Sequence, residues 1–271
     1  SDHSKVGDAV ARAIETGYRH IDTSYLFKNQ SPIGYELVNI FETGLCCRHE
    51  LFVSAKLPHI GMCPGGAEYF LDKALRDLQL DYVDLYLIGF PAGAIEDPET
   101  KEERLDPSTD LEKTCKINMV ALIQAMEELV DCSKARAIGV SNFNLRQVVK
   151  ILSCARIPPS NVQVEMHLYC QQREIVEFCR GKNIAVTAYA PLGSPGLSSF
   201  VSDKKKRCKI PTPLTDHNVL EMAKKKNVLP SQVLLRHLIQ LGVAVIPKST
   251  TCQRIRTNAD VRGLKDCSWF L

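Results

Sequence analysis

Two periodicities alternate along the chain. Apolar residues three and four apart mark amphipathic helices, and short apolar runs between them mark buried strands. Val6, Val10 and Ile14 place one face of a helix over residues 9–16, which Gly17 ends. A strand is expected at 19–24, a helix at 33–42 with Pro32 at its start and Gly44 past its end, and a strand at 51–56. Residues 66–78 repeat the helical spacing. The run Val83-Asp84-Leu85-Tyr86-Leu87-Ile88 is apolar enough for a strand buried on both faces.

A polar stretch from 91 to 113 interrupts the rhythm, at a length typical of lids and binding loops. Helices then follow at 119–130, 145–155, 174–180, 217–225, 231–241 and 249–258. The matching strands fall at 135–140, 162–165, 184–188 and 243–246, and a second irregular stretch covers 191–215.

Seven strands separated by helices, without a linker, predict one α/β domain over 1–271 with a parallel sheet. A doubly wound sheet would call for a glycine-rich phosphate turn after an early strand, and the sequence holds no GxGxxG. The expected fold is therefore a (β/α)8 TIM barrel. Eight strands are needed and the chain opens on a helix, so a preceding segment carrying strand one is expected.

Composition narrows the function classes. The 271 residues are 45% hydrophobic and 24% charged, ordinary for a globular protein with a sizeable core. A net charge of +3 is too balanced to argue for nucleic acid. The run Lys204-Lys205-Lys206-Arg207 is the local exception, read as a solvated loop in preference to a polyanion site. No apolar run approaches the roughly 20 residues of a membrane span, and no signal peptide opens the chain, so membrane insertion is not expected. Eleven scattered cysteines, without paired CxxC spacing, read as reduced cytosolic thiols and not as metal ligands. A cytoplasmic location follows as the expectation; the oligomeric state is not legible.

Four strings stand in register along nearly the whole chain. They are Gly17-Tyr18-Arg19-His20-Ile21-Asp22-Thr23, Leu80-Asp81-Tyr82-Val83-Asp84-Leu85-Tyr86-Leu87-Ile88, Ile138-Gly139-Val140-Ser141-Asn142-Phe143, and Ile246-Pro247-Lys248-Ser249. Together they resemble the aldo-keto reductase superfamily. The resemblance implies a TIM barrel that binds NADP(H) without a Rossmann motif and reduces aldehydes and ketones. It matches Ser141, Asn142 and Gln163 to the nicotinamide carboxamide, Tyr189 to the ring that stacks on the nicotinamide, and Leu192 and Ser194 to the pyrophosphate loop. Lys248, Ser249, Arg254 and Asn258 match the group around the 2′-phosphate and adenine. A phosphate dianion favours a point charge, a guanidinium fork and hydroxyl donors close together, which suits that last set. Thr257 and Gly196 depart from a glutamate and an aspartate frequent in the family.

The resemblance also implies a catalytic group of tyrosine, lysine, aspartate and histidine. Asp22 and Lys56 match the aspartate and lysine. Phe27 occupies the tyrosine position and Gly89 the histidine position. Phe27 has no proton to donate, and Gly89 has no side-chain donor. Loss of a general acid costs about 10²–10⁴ in rate. Loss of an oxyanion-type donor costs roughly 10²–10³.

Two functions are therefore expected. In the first, the chain is a catalytically impaired relative that keeps NADP(H) and a small apolar or carbonyl ligand, and acts as a ligand-binding, regulatory or structural protein. In the second, it is an active NADPH-dependent reductase using Lys56 with Tyr25 or water; Tyr25 enters because an extended segment would point it the same way as Phe27. His59 is the nearby alternative histidine, and His167 resembles a structural histidine of the family. The aromatic end Trp269-Phe270 is a candidate cover for the barrel mouth.

Overall fold

Buried apolar runs become the strands. The structure, a computed structural model, describes residues 5–95, the backbone of 114–115, and residues 117–196 and 211–261. The basic run at 204–207, the terminal aromatics and most of the expected lid lie outside the described residues. Seven strands, β1 (His20–Asp22), β2 (Phe52–Leu57), β3 (Leu85–Ile88), β4 (Ile138–Ser141), β5 (Asn161–Glu165), β6 (Ala185–Tyr189) and β7 (Ala244–Val245), follow chain order in the sheet. Nine described helices accompany them: α1 (Val6–Glu15), α2 (Gln30–Glu42), α3 (Gly66–Leu78), α4 (Met119–Asp131), α5 (Leu145–Leu152), α6 (Arg173–Gly181), α7 (His217–Lys226), α8 (Pro230–Gln240) and α9 (Cys252–Ala259). The chain divides into two compact units, one through Val162 and one from Gln163.

In the first unit the strands are parallel and in tight register. Asp22 lies opposite Ser54, Lys56 opposite Leu87, and Leu87 opposite Gly139. All four residues of β3 and of β4 are buried, the pattern of strands covered on both faces. Helices α1 and α2 cover the β1–β2 end through Val6, Ile14, Ile33, Leu37 and Ile40, packed with Leu51, Val53 and Leu78. Gly34 permits the α2–α3 approach, because a Cβ there would lie 2.3 Å from the Asp77 carbonyl.

A buried carboxylate ties three strands together. Asp84, just ahead of β3, accepts from the Val53 amide at 2.9 Å and from Arg48 Nη2 at 2.8 Å; Arg136 Nη1 lies 3.3 Å away. Arg48 also donates to the carbonyls of Leu51 and Tyr82. The guanidiniums of Arg48 and Arg136 lie 4.0 and 4.1 Å from the Tyr82 ring centroid, a cation–π contact for each.

In the second unit, β6 and β7 pair in parallel, Thr187 with Ala244 and Ala188 with Val245. Helices α7 and α8 enclose Val219, Ala223, Val233 and Leu234, with Leu168 and Leu192 against them. Gln232 joins the start of α8 to the end of α9: its Oε1 accepts from the Leu229 amide, and its Nε2 donates to the Asp260 carbonyl at 2.6 Å. Among the described residues no helix is long and apolar enough to cross a membrane. Eight described cysteines are free thiols, and no three His, Cys, Asp or Glu among those residues gather as metal ligands.

Every expected helix and strand is present, with ends shifted by a few residues. Helix α2 begins at Gln30, ahead of Pro32, since a proline in the first turn forfeits no intrahelical bond. Helix α9 begins at Cys252 and not at Ser249, because the Ser249 hydroxyl accepts from the Thr251 amide at 3.1 Å and forms a turn first.

Removing the Asp84 carboxylate leaves Arg48 without its acidic partner at a half-buried site. Asp84→Ala is expected to lower the unfolding free energy by about 3–5 kcal/mol, read from urea unfolding. A loss below about 1 kcal/mol would contradict its place as the tie between strands.

Candidate active site

Parallel register alone brings the first group together. Asp22 ends β1, and its partner Ser54 and the next same-face residue, Lys56, lie on β2. The Lys56 ammonium forms an ion pair with Asp22 Oδ2 and donates to the Thr23 carbonyl at 3.3 Å. Ser54 Oγ donates to Asp22 Oδ1 at 2.7 Å, and His20 Nε2 lies 3.0 Å from Ser54 Oγ. Both ionic side chains are about nine-tenths buried, 10% exposed for Lys56 and 9% for Asp22. Burial pushes the His20 imidazole below its usual range; Asp22 and Asp84 pull it up, and Lys56 presses it down.

Residues 25–27 form a 3₁₀ turn, which corrects the extended segment expected there. The Leu26 amide donates to the Ser24 hydroxyl, and the Phe27 amide to the Ser24 carbonyl. Positions two apart on such a turn do not share a face. Tyr25 therefore packs edge-on against Phe70, ring centroids 4.9 Å apart, and does not stand in for Phe27. Phe27 remains 49% exposed with the Lys56 ammonium 5.5 Å from its ring centroid. A phenyl face, without a hydroxyl, is thus what the lysine meets.

Gly89 follows β3. Its amide donates to the Leu57 carbonyl at 3.1 Å, and its own carbonyl accepts from Asn142 Nδ2 at 2.9 Å. A Cβ built at Gly89 would fall 2.6 Å from the Leu57 carbonyl oxygen. The backbone itself thus fills the place where a side chain would leave position 89. Asn142 adopts a left-handed conformation (φ 65°), which turns its amide back toward Ser141 and Gly89; Ser141 is buried. His59 stacks at a tilt on Phe90, 4.9 Å between ring centroids, and Leu26 and Phe90 are further exposed apolar groups on the loops after β1 and β3.

In the second unit Gln163 is buried on β5 and Tyr189 ends β6. Burial pushes the Tyr189 phenol up, and the charges of Glu165 and Cys170 push the same way against a backbone hydrogen bond at Glu165. The following turn is closed by Gly193 donating to the Ala190 carbonyl at 2.8 Å, with Leu192 packed inward and Ser194 left-handed (φ 48°). Lys248 and Arg254 are exposed on either side of the start of α9; Ser249 lies between them in sequence, and Asn258 is buried one turn beyond Arg254. His167 is held by Glu165 at 3.2 Å and accepts from the Tyr169 amide, a structural arrangement.

Each unit therefore gathers its own matched residues. Asp22, Lys56, Phe27, Gly89, Ser141 and Asn142 belong to the first. Gln163, Tyr189, Leu192, Ser194, Lys248, Ser249, Arg254 and Asn258 belong to the second. Sequence reasoning missed His20 and Ser54. The signal for His20 was its i, i+2 spacing to Asp22; the signal for Ser54 was a register that no single strand reveals.

Comparison with known proteins gives the family. The model of the aldo/keto reductase family matches residues 1–266. Aldo-keto reductase family 4 member C11 of Arabidopsis thaliana is 40% identical over 263 residues, 95% of this chain and 76% of that protein. The structure of the aldose reductase from Schistosoma japonicum matches with a TM-score of 0.88 at 33% identity, covering all of this chain and 83% of that one. An aldo-keto reductase of Bombyx mori in complex with NADP matches with a TM-score of 0.83 at 33% identity, over 97% and 80% of the two chains. The parallel β/α order described above is the (β/α)8 fold of those structures, and the chain belongs to the aldo/keto reductase family.

Proposed function

We propose that this chain is an NADP(H)-binding aldo-keto reductase relative whose carbonyl-reducing chemistry is impaired. In this reading it acts chiefly as a ligand-binding, regulatory or structural protein for small apolar or carbonyl compounds. The observation that carries the reading is the surroundings of the Lys56 ammonium, which meets the Phe27 ring and not a phenol. Gly89 supports it, having no side-chain donor; of the two candidate substitutes, Tyr25 packs against Phe70 and His59 against Phe90.

The residues present suit NADP(H). An exposed Lys248 and Arg254 flank the Ser249 hydroxyl next to a helix N-terminus, a donor set that fits a phosphate dianion. In the first unit the buried Ser141 with Asn142 offers hydroxyl and amide groups suited to a carboxamide; in the second, Gln163 offers an amide and the half-buried Tyr189 a flat ring. When bound, the cofactor supplies a hydride to a carbonyl carbon. This chain's residues must then supply a proton to the carbonyl oxygen, and the intact Lys56–Asp22 pair leaves the Lys56 ammonium as the acid at hand. That pair also favours the second reading, slow reduction with Lys56 or a water delivering the proton. Tyr25 is no longer part of it.

Phe27 lies on an exposed turn. Phe27→Tyr is expected to raise turnover of a generic aldehyde with NADPH by about 10²–10⁴. Native turnover already at the level of active relatives, unchanged by the substitution, would sink the impaired reading. Gly89→His is expected to behave differently. It should add no further turnover and should lower stability by about 1–3 kcal/mol in urea unfolding, because its Cβ meets the Leu57 carbonyl. NADPH fluorescence should change on titration with the native chain, and Lys248→Ala with Arg254→Ala should weaken NADPH binding by roughly tenfold or more while sparing NADH. No fluorescence change at high protein concentration would refute the cofactor residues named here.

A further inference from the structure

Behind the Lys56–Asp22 pair runs a chain of hydrogen bonds that continues to His20. An ionised carboxylate only accepts, so the single hydroxyl proton of Ser54 is spent on Asp22 Oδ1, 2.7 Å away. Ser54 Oγ can then take part in the 3.0 Å contact with His20 Nε2 only as an acceptor. The donor must be the imidazole. We propose that His20 is a positioning residue whose Nε2–H fixes the Ser54 hydroxyl on Asp22, so that Asp22 stays turned toward Lys56. The other imidazole tautomer would draw the Ser54 proton to itself and leave Asp22 one donor short.

The surroundings agree with such a role. Ser54 is wholly buried, so no water competes for its hydroxyl. Phe52, the register partner of His20, meets the imidazole edge-on at 4.9 Å and limits its tilt. The charged groups acting on the imidazole are Asp22, Lys56 and Asp84. Nε2 carries a hydrogen in the cation as well as in this neutral tautomer, so the contact survives either state. His20 reaches no substrate position itself; it acts two bonds removed, through Ser54 and Asp22. The inference rests on the reading of Asp22 and Lys56 as the site pair, but not on NADP(H) binding.

Two substitutions separate a donor from a space-filler. His20→Gln keeps an N–H donor and loses the ring; His20→Phe keeps a ring and loses the donor. The readout is the initial rate of reductive methylation of Lys56 by formaldehyde with cyanoborohydride as the hydride donor, measured by mass spectrometry against the exposed Lys150 in the same sample. His20→Phe should speed Lys56 methylation by roughly fivefold, the worth of one ordinary hydrogen bond, and His20→Gln should leave it near the native rate. Ser54→Ala should match His20→Phe, with no further gain in the double variant. The reverse order, Phe native-like and Gln fast, would show that the ring only fills space and would overturn the proposal. Should the variants fail to fold, ¹⁵N spectra of the native imidazole still decide it: Nε2–H is expected, and Nδ1–H with a bare Nε2 would refute it. NADPH titration of the native chain tests the cofactor reading separately, since its failure would leave the methylation pattern and the tautomer unchanged.

Discussion

The first unit depends on one buried carboxylate. Asp84 joins the Val53 amide on β2, the Arg48 side chain ahead of β2 and Arg136 ahead of β4, and so fixes three strand starts against one another. Parallel strands have evenly spaced, slanted hydrogen bonds that do little to forbid a slip of two residues. A charge that only one register can satisfy does forbid it. Once β2 and β3 are locked at their starts, their far ends follow: Lys56 lies opposite Leu87, and Leu57 opposite Ile88. The placement of Lys56 beside Leu87 follows from that alignment, several residues from the group that sets it.

The site combines parts that agree and parts that do not. Asp22, Ser54 and Lys56 hold one another in defined geometry, and Asn142 donates to the Gly89 carbonyl. Phe27 and Gly89 offer no donor to what would enter beside them. The first set persists for a physical reason that does not require catalysis, since removing either member of a buried ion pair strands the other charge. The lysine and aspartate are therefore weak evidence of a working enzyme, and the proposed impairment rests on the side chains at 27 and 89.

Most of the fold was legible because it rests on periodicity. Helix α3 matches its sequence bounds, with left-handed residues at Gly65 and Gln79 marking both ends. Legibility failed where a side chain bonded to nearby backbone. The Ser24 hydroxyl turned an expected extended segment into a 3₁₀ turn, and Ser249 delayed α9. Those bonds compete with helix and strand over only a few residues, below the reach of a pattern that needs several turns. Among site residues, Asp22, Lys56, Phe27 and Gly89 were visible through motifs. The Ser54–His20 extension was not, because it joins two strands whose relative register is a tertiary fact.

The approach of the Gly89 amide to the Leu57 carbonyl makes this position a restrictive one. An ideal Cβ at 89 would crowd the Leu57 carbonyl, whereas glycine lets the amide of position 89 donate to that carbonyl at 3.1 Å. A histidine placed at 89 would bring its Cβ to 2.6 Å from that carbonyl oxygen. Position 27, on an exposed turn, carries no such lock. The two positions thus differ in what they accept, 27 standing on an exposed turn and 89 taking a side chain only if the backbone around it moves.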